Sequence, residues 1–408
     1  MARGRSRSRA SGGGETPCVG LILSGGGARA AYQVGVLKGI GEMLPRGAPS
    51  PFPVICGTSA GAINAAAVAT HAARFRQGVR GLEAVWRDFR ARQVYRTDAW
   101  GVSTRAMKWL GALFLGGVGA YRPVSLLDNR PLQELLAQVV RFERIDRAID
   151  AGQLRGLSIT ASRYTGGESV SFFQGVDSIQ EWGRARRLGV RTRIGLEHLM
   201  ASSAIPAVFP AVRIGDHFYG DGSVRQLAPI SPALHMGANR VLVIGVSGRT
   251  GIKRAQRPPE RYPSVAEILG HVLDSAFIDM LEGDLERLER INRTLEHLPG
   301  DAKREQGPDL RRVDALQIAP SRELDEIAAA CAHELPRTLR FFLRGSGATS
   351  GAGSTVASYL LFERGFTRAL IDLGYRDALT REPEILRFLG YESTARYRRA
   401  DAVPADLW

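Results

Sequence analysis

The sequence is poor in cysteine and in lysine and has no long apolar segment. Its three cysteines (Cys18, Cys56 and Cys331) are widely spaced, and no CxxC pair or Cys/His cluster accompanies them. Neither a disulfide framework nor a zinc site is indicated, and we expect a reducing, cytoplasmic setting. Because no apolar run approaches the roughly 18 residues that a membrane-spanning helix needs, we expect no transmembrane segment.

Acidic residues are outnumbered by basic ones. The 408 residues include 41 Asp and Glu against 55 Lys and Arg, a formal net charge of +14. Such a surface attracts anionic partners, either nucleic acid or anionic lipid headgroups. The basic residues are dispersed and no nucleic-acid recognition motif is present. We therefore expect no specific nucleic-acid partner, and peripheral contact with an anionic membrane surface stays open.

The ordinary share of hydrophobic residues, 44%, excludes disorder along the whole chain. Residues 1–16 are the exception, because MARGRSRSRA carries four arginines and no acid. No apolar stretch follows, which argues against a secretory signal. This segment is expected to be a disordered basic arm.

Two strand–turn–helix units follow the arm. In each, a short apolar run is bounded by a glycine-rich turn, after which apolar residues recur at helical spacing. The units comprise strands 19–23 (VGLIL) and 52–56 (FPVIC), turns 24–27 (SGGG) and 57–61 (GTSAG), and helices 28–44 and 60–71. Their repetition predicts a parallel sheet with helices on its faces.

The rest of the chain continues this alternation. Residues 76–150 are expected to be mostly helical with an irregular middle. Further strands are expected at 157–162, 169–173, 207–214, 217–219, 240–246 and 313–318. Further helices are expected at 197–203, as one long helix at 265–298, and as several helices in 323–390 around the Gly/Ser-rich stretch 344–355.

The first motif with chemical meaning is the GxSxG pattern at residues 57–61, with Ser59 at its centre. A serine on a sharp strand-to-helix turn projects its hydroxyl out of the sheet, and the flanking glycines permit the turn. The motif follows a predicted strand and opens a predicted helix, as this mechanism requires. This context favours a nucleophilic serine over a turn without chemistry.

The second motif, residues 25–30 (GGGARA), also joins a strand to a helix. Successive glycines can direct backbone N–H groups into one anion-binding concavity. Such a loop binds either a nucleotide pyrophosphate or the oxyanion of an acyl transfer. A dinucleotide site also needs an acidic residue at the end of the second strand. Because Ser59 stands in that region, the oxyanion role is favoured.

The third motif is Asp221-Gly222-Ser223, at the expected end of a strand. An aspartate followed by glycine is commonly a turn residue without chemistry. A catalytic role for Asp221 is favoured here because a serine nucleophile needs a base.

Three segments taken together resemble, in order, the signature blocks of the patatin-like phospholipases: SGGGARAAYQVGVL, GTSAG and ASSAIPAVFPAVRIGDHFYGDGS. The stretch ILGHVLDSAFIDMLEGDLERLERINRTL and two later ones resemble the C-terminal extension of a bacterial subgroup. The resemblance implies a three-layer α/β/α fold with a central, largely parallel sheet. A catalytic domain at 17–246 would precede a mostly helical extension at 247–408.

The resemblance also implies a serine–aspartate dyad without metal or cofactor. Ser59 would be the nucleophile and Asp221 its base. The flanking positions would be the nucleophile elbow (Gly57, Thr58, Ala60 and Gly61), the aspartate loop (Gly222 and Ser223) and the oxyanion hole (Gly25, Gly26, Gly27, Ala28 and Arg29).

These assignments predict a serine acyl hydrolase that cleaves carboxylic ester bonds of lipids, phospholipid or lysophospholipid, through an acyl-enzyme. An acyltransferase using the same dyad and a non-catalytic, membrane-associated regulatory protein are the alternatives. A Ser-Asp-His triad stays open by chain order, because four histidines follow Asp221, but none lies in a matching loop motif. We interpret His235 as structural, His217 as an exposed hairpin residue or a group that orients the loop, and Cys56 as core packing.

Two segments have the composition of a lipid-facing surface. Residues 100–121 combine large apolar side chains, flanking aromatics, Arg105 and Lys108. This suits a lid or interfacial segment, or equally a buried helix. Residues 247–264 carry five basic residues against one acid and would add attraction to anionic headgroups.

Overall fold

The computed structural model describes residues 17–96, 125–248, 265–275, 280–297, 311–337, 340 and 354–391. The expectations for the basic arm at 1–16, for residues 100–121 and for most of 247–264 and 344–355 lie outside these residues.

Within the described residues, ten strands form one sheet. The strands are β1 (Val19–Leu23), β2 (Val54–Thr58), β3 (Gly156–Arg163), β4 (Ser169–Gly175), β5 (Trp182–Arg184), β6 (Arg187–Arg191), β7 (Val212–Ile214), β8 (His217–Asp221), β9 (Arg240–Ile244) and β10 (Asp314–Ile318). The main order across the sheet is β10-β9-β1-β2-β3-β4-β6-β5, and the β7–β8 hairpin joins through the pairing of β8 with β3.

The centre of the sheet is parallel and its far side is mixed. Strands β10, β9, β1, β2 and β3 are parallel neighbours. Strand β4 runs antiparallel to β3, and β5 runs antiparallel to β6. The central, largely parallel sheet predicted from the two strand–turn–helix units is confirmed.

Helices flank the sheet and account for most of the described residues after position 246. The α-helices are α1 (Ala31–Met43), α2 (Ala60–Ala69), α3 (Phe75–Arg87), α4 (Arg130–Val139), α5 (Glu143–Asp150), α6 (Leu196–Ser202), α7 (Ser231–His235), α8 (Val265–Asp274), α9 (Met280–His297), α10 (Leu324–Cys331), α11 (Ser354–Leu360), α12 (Arg364–Thr380) and α13 (Glu382–Leu389).

Alternate residues of the central strands enter two separate apolar cores. On β1, Leu21 and Leu23 belong to the larger core, while Ile22 belongs to the smaller one. Strand β2 repeats the pattern, because Ile55 faces the larger core and Cys56 the smaller one. Successive side chains of a strand point to opposite faces, so a strand buried on both faces is apolar throughout. The two cores make this a three-layer α/β/α arrangement, as expected.

Several sequence-based boundaries differ from the structure. The second strand is Val54–Thr58 and not 52–56, since the chain bends at residues 51 and 53 before it enters the sheet. The strand expected at 207–214 is reduced to Val212–Ile214, because residues 205–208 form a turn in which Ala207 has φ 65°. Strands β5 and β6 were missed, since they are short and largely polar at the edge of the sheet.

The C-terminal region joins the sheet and also packs on α1. Strand β10 pairs with β9, and α12 crosses α1 at very short range. A Cβ at Gly374 of α12 would lie 2.2 Å from the carbonyl oxygen of Tyr32 on α1. The Tyr32 hydroxyl also donates to Asp377 at 2.9 Å. Glycine at 374 therefore allows the two helix backbones to touch.

We expect Gly374→Ala to destabilise the protein by about 1–3 kcal/mol or more, because the added methyl overlaps a backbone atom that cannot rotate away. Gly283→Ala on α9 is the matched control. Nothing lies within 4 Å of a Cβ at Gly283, so alanine there should stabilise the helix by roughly 0.5–1 kcal/mol. Urea denaturation of the two variants measures both changes. Equal effects would contradict the close helix crossing.

Candidate active site

The ends of two distant strands meet at one edge of β3. Strand β2 runs parallel to β3 as far as the pair Thr58↔Thr160. Strand β8 runs antiparallel to the next residues of β3, with Asp221 opposite Ala161. Since β4 occupies the other edge of β3 at these residues, β2 and β8 share an edge and run toward each other. Ser59 directly follows β2, so this pairing places it beside Asp221.

Ser59 occupies the sharp turn between β2 and α2. Its φ of 55° and ψ of −131° lie in a region that a residue with a side chain rarely adopts. The surroundings maintain this conformation: the amide of Ser59 donates to Ser202 Oγ at 2.9 Å, and Ser202 Oγ donates to the Thr160 carbonyl at 2.6 Å. A Cβ at Gly61 would lie 2.2 Å from the Leu23 carbonyl oxygen, so α2 begins in contact with β1.

The hydroxyl of Ser59 donates a hydrogen bond to the carboxylate of Asp221. Ser59 Oγ lies 2.5 Å from Asp221 Oδ2, and the amide of Ser223 donates to Asp221 Oδ1 at 2.9 Å. The sequence motifs predicted a pairing of Ser59 with Asp221, and the distance between the two side chains comes from the structure. Both side chains are buried, Ser59 at 2% exposed and Asp221 at 0%.

Burial raises the pKa of Asp221 to about 6, because the ionised carboxylate loses its hydration. The hydrogen bonds from Ser59 and Ser223 oppose the rise but do not cancel it. A carboxylate with this pKa is ionised at neutral pH and is a better proton acceptor than an exposed aspartate.

The glycine loop turns into a short 3-10 helix, Gly27–Ala30, before α1 begins. Gly27 has φ 54°, a left-handed conformation that favours glycine. The amide of Arg29 donates to the Gly26 carbonyl at 3.0 Å, so it is committed to the turn. In the described part of the chain, the amides of Gly25, Gly26, Gly27 and Ala28 have no acceptor and are the available donors of the expected oxyanion hole.

Two polar residues that sequence reasoning missed connect the parts of the site. Ser202 supports the Ser59 backbone, as described above. Gln226, five residues after Asp221, accepts from Thr58 Oγ1 at 2.6 Å and donates to Thr160 Oγ1 at 3.3 Å. It thereby ties the aspartate loop to β2 and β3. The available signal was their position: Ser202 is the second residue of the third family block, and Gln226 lies three residues after its DGS end.

An apolar cavity of about 330 Å³ reaches Ser59. It follows α2, whose contributions recur at helical spacing from Ser59 through Ile63 and Ala67 to Thr70. Its other walls come from α3, α4 and the end of α11, and include Leu82, Trp86, Leu132, Leu136, Val140, Leu360 and Phe362. At about 1.5 Å of rise per residue, the path from Ser59 to Thr70 is about 16 Å long.

The histidines considered as triad members lie elsewhere. The described hydrogen bonds of the Asp221 carboxylate involve Ser59 and Ser223 and no histidine. His235 ends α7, and its ring stacks on Trp182 with centroids 4.7 Å apart. His217 begins β8, with its ring edge-on to that of Tyr219. Cys56 is buried in the smaller core, as its interpretation as a packing residue requires, and burial raises its pKa.

Comparison with known proteins identifies the family. The family model described as patatin-like phospholipase matches residues 21–234. The chain therefore belongs to the patatin-like phospholipase family. A search of curated proteins finds no match.

Two solved structures are similar to this chain at low sequence identity. Human GIVD cytosolic phospholipase A2, in complex with methyl gamma-linolenyl fluorophosphonate, is 12% identical over 93% of this chain, with a TM-score of 0.41. The chain spans 60% of that protein. VipD from Legionella pneumophila is 11% identical over 92% of this chain and 67% of its own, with a TM-score of 0.28.

Proposed function

We propose that this protein is a serine acyl hydrolase that cleaves the carboxylic ester bonds of lipids, phospholipid or lysophospholipid, through an acyl-enzyme intermediate. The observation that carries the proposal is the 2.5 Å hydrogen bond between Ser59 Oγ and Asp221 Oδ2 beside an apolar cavity. Membership of the patatin-like phospholipase family supports the same class of reaction.

In the proposed first step, Asp221 accepts the proton of Ser59 while Ser59 Oγ forms a bond to the ester carbonyl carbon. The carbonyl oxygen becomes an oxyanion, and the amides of Gly26, Gly27 and Ala28 donate to it. One such donor typically contributes about 3 kcal/mol of transition-state stabilisation. The carbon–oxygen bond to the alcohol then breaks, and Asp221 returns its proton to the leaving alkoxide.

The second step releases the acyl group. Asp221, ionised again, accepts a proton from water as the water oxygen attacks the acyl carbon. The bond to Ser59 Oγ breaks, and the proton returns to the serine. The products are the free fatty acid, the alcohol and the unmodified enzyme, and one water is consumed.

The cavity suits the acyl chain of a lipid. Its walls are mostly apolar, and its volume lies at the lower end of the about 300–1,000 Å³ of small-molecule sites. With C–C bonds of about 1.5 Å in a zigzag, a 16 Å path along α2 holds an extended chain of roughly twelve carbons. We therefore propose that medium to long acyl chains lie along α2 with the ester at Ser59.

Peripheral contact with an anionic membrane is part of the proposal. It is supported by the net charge of +14 and by the lipid nature of the proposed substrate. In the part of the chain that the structure describes, no helix is long and apolar enough to cross a bilayer.

Ser59→Ala is expected to abolish ester hydrolysis and labelling by an alkyl fluorophosphonate, and Asp221→Asn to lower kcat/KM about 10³-fold through loss of the base. Phospholipid and lysophospholipid vesicles, with fatty-acid release as the readout, test the substrate class.

The matched controls are Ser158→Ala and Asp216→Asn. Ser158 is buried on β3 with no described partner for its hydroxyl, and Asp216 is a 97% exposed turn residue. Both variants should keep wild-type activity. Unlabelled wild-type protein, indistinguishable from Ser59→Ala, would support a non-catalytic role, and acyl transfer to an added alcohol in preference to water would indicate an acyltransferase.

The pH dependence of kcat/KM follows from the raised pKa of Asp221. A general base must be ionised, so activity should fall about tenfold per pH unit below about 6 and level off above it. The measurement is a pH profile on a neutral p-nitrophenyl ester, with folding checked by circular dichroism at each pH. A midpoint near 4, the ordinary value for aspartate, would contradict the role of burial.

Ala67→Leu should shorten the space available to an acyl chain. Ala67 lies eight residues after Ser59 along α2, about 12 Å away, and both residues favour a helix. We expect at least about a tenfold loss of kcat/KM on p-nitrophenyl laurate, whose acyl chain matches the path, and little change on the butyrate. Ala84→Leu, at an exposed position of α3 outside the cavity, is the control. Equal loss on both esters would argue against a chain along α2.

A further inference from the structure

The side chain of Arg29 leaves the glycine loop in the direction of the C-terminal helices. It is 3% exposed, and its Nε donates to Ser358 Oγ of α11 at 2.7 Å. Its Nη2 lies 2.6 Å from Asp325 Oδ1 of α10, and its guanidinium carbon lies 4.1 Å from the ring centre of Tyr359. A buried guanidinium is stable only when its donors are paired in this way.

The two carboxylates that pair with Arg29 are themselves held by further hydrogen bonds. Thr355 Oγ1 donates to the second oxygen of Asp325 at 2.7 Å. Asp274, at the end of α8, lies 3.5 Å from Arg29 Nη1 and accepts from the Tyr359 hydroxyl at 2.9 Å. Three helices of the C-terminal region therefore converge on one side chain of the loop.

The backbones of the two regions also touch at this point. A Cβ at Gly27 would lie 2.2 Å from the carbonyl oxygen of Tyr359. The residues that follow, Leu360 and Phe362, line the cavity that reaches Ser59. Residues 359–362 thus contact the glycine loop and also line the proposed acyl site.

We propose that the C-terminal helical region sets the position of the oxyanion-hole loop, with Arg29 as the positioning residue and Asp325 as its main anchor. The inference rests on the proposed function for its catalytic consequence. An oxyanion hole works only when its donors are already aimed at the developing charge. The loop is built largely of glycine and alanine, so Arg29 is the side chain through which a distant element can fix it.

The test compares Asp325→Asn with Asp372→Asn. Asp372 of α12 also pairs with the catalytic region, through Arg87 at 3.1 Å, but does not touch Arg29. In Asp325→Asn we expect kcat for p-nitrophenyl butyrate to fall about tenfold with KM unchanged, because misplaced donors weaken only the transition state. Asp372→Asn should retain the wild-type kcat.

Loop order provides a readout that does not need activity. Amide hydrogen exchange at residue 29, whose N–H donates to the Gly26 carbonyl, should be faster in Asp325→Asn than in wild type and unchanged in Asp372→Asn. Arg29→Lys, which keeps the charge but loses the planar fork, should fall between wild type and Arg29→Met in both readouts. If Asp325→Asn folds poorly, Thr355→Val removes only the hydroxyl that holds Asp325 and should cause a smaller change of the same kind.

The outcomes separate the two proposals. Faster exchange at the residue 29 amide in Asp325→Asn, with no hydrolysis even by wild type, would overturn the proposed function while supporting the positioning role. Active wild type, with Asp325→Asn and Thr355→Val matching Asp372→Asn in kcat and exchange, would overturn the positioning role alone. A raised KM with unchanged kcat in Asp325→Asn would also overturn it, since that pattern indicates a damaged cavity wall.

Discussion

The hydrogen bond between Ser59 and Asp221 depends on one feature of strand pairing. Strands β2 and β8 share an edge of β3 and end opposite its consecutive residues Thr160 and Ala161. The two side chains are 162 positions apart in sequence, so no local preference can bring them together. A slip of one residue in the pairing of β8 would turn Asp221 to the other face of the sheet. The register of β3 with its two partners is therefore the constraint on which the site depends.

Burial of the Ser59–Asp221 pair makes Asp221 a better base, but it also lowers the stability of the folded state. Taking Asp221 out of water raises its pKa toward neutrality, which improves it as a base but opposes its ionisation in the folded state. In the unfolded chain Asp221 ionises near its ordinary pKa of 3.8, whereas in the folded protein it ionises only near 6. The contribution of Asp221 to the free energy of unfolding is therefore greatest below pH 3.8 and decreases as the pH rises from 3.8 to 6. The left-handed backbone of Ser59 adds a second local cost. The packed cores on both faces of the sheet must offset both.

The C-terminal region is integrated with the rest of the molecule. Strand β10 extends the central sheet, and α12 lies on α1 with backbone contact at Gly374. The Arg29–Asp325 ion pair and the contact between Gly27 and Tyr359 also join the C-terminal region to the glycine loop. The division at residue 246 drawn from the sequence thus marks a change in composition and remains a proposal as a domain boundary. In the described residues, the side chains of the site and the helices after residue 246 pack together.

Much of the local structure was determined by the sequence itself. The apolar run Val19–Leu23, the GxSxG turn and the helix after it follow from short-range rules of periodicity and glycine placement. The three motifs also sufficed to indicate the family and to nominate Ser59 and Asp221, whose catalytic roles stay predictions. The third block pointed to the neighbourhood of Ser202 and Gln226, but neither their contacts nor the direction of Arg29 could be read from the sequence, because ordinary polar residues acquire such roles only from their neighbours. Only the tertiary structure decided the contact of the dyad, the buried state of Asp221 and the course of the cavity, since each arises from segments that are remote in sequence and meet through long-range packing and strand register.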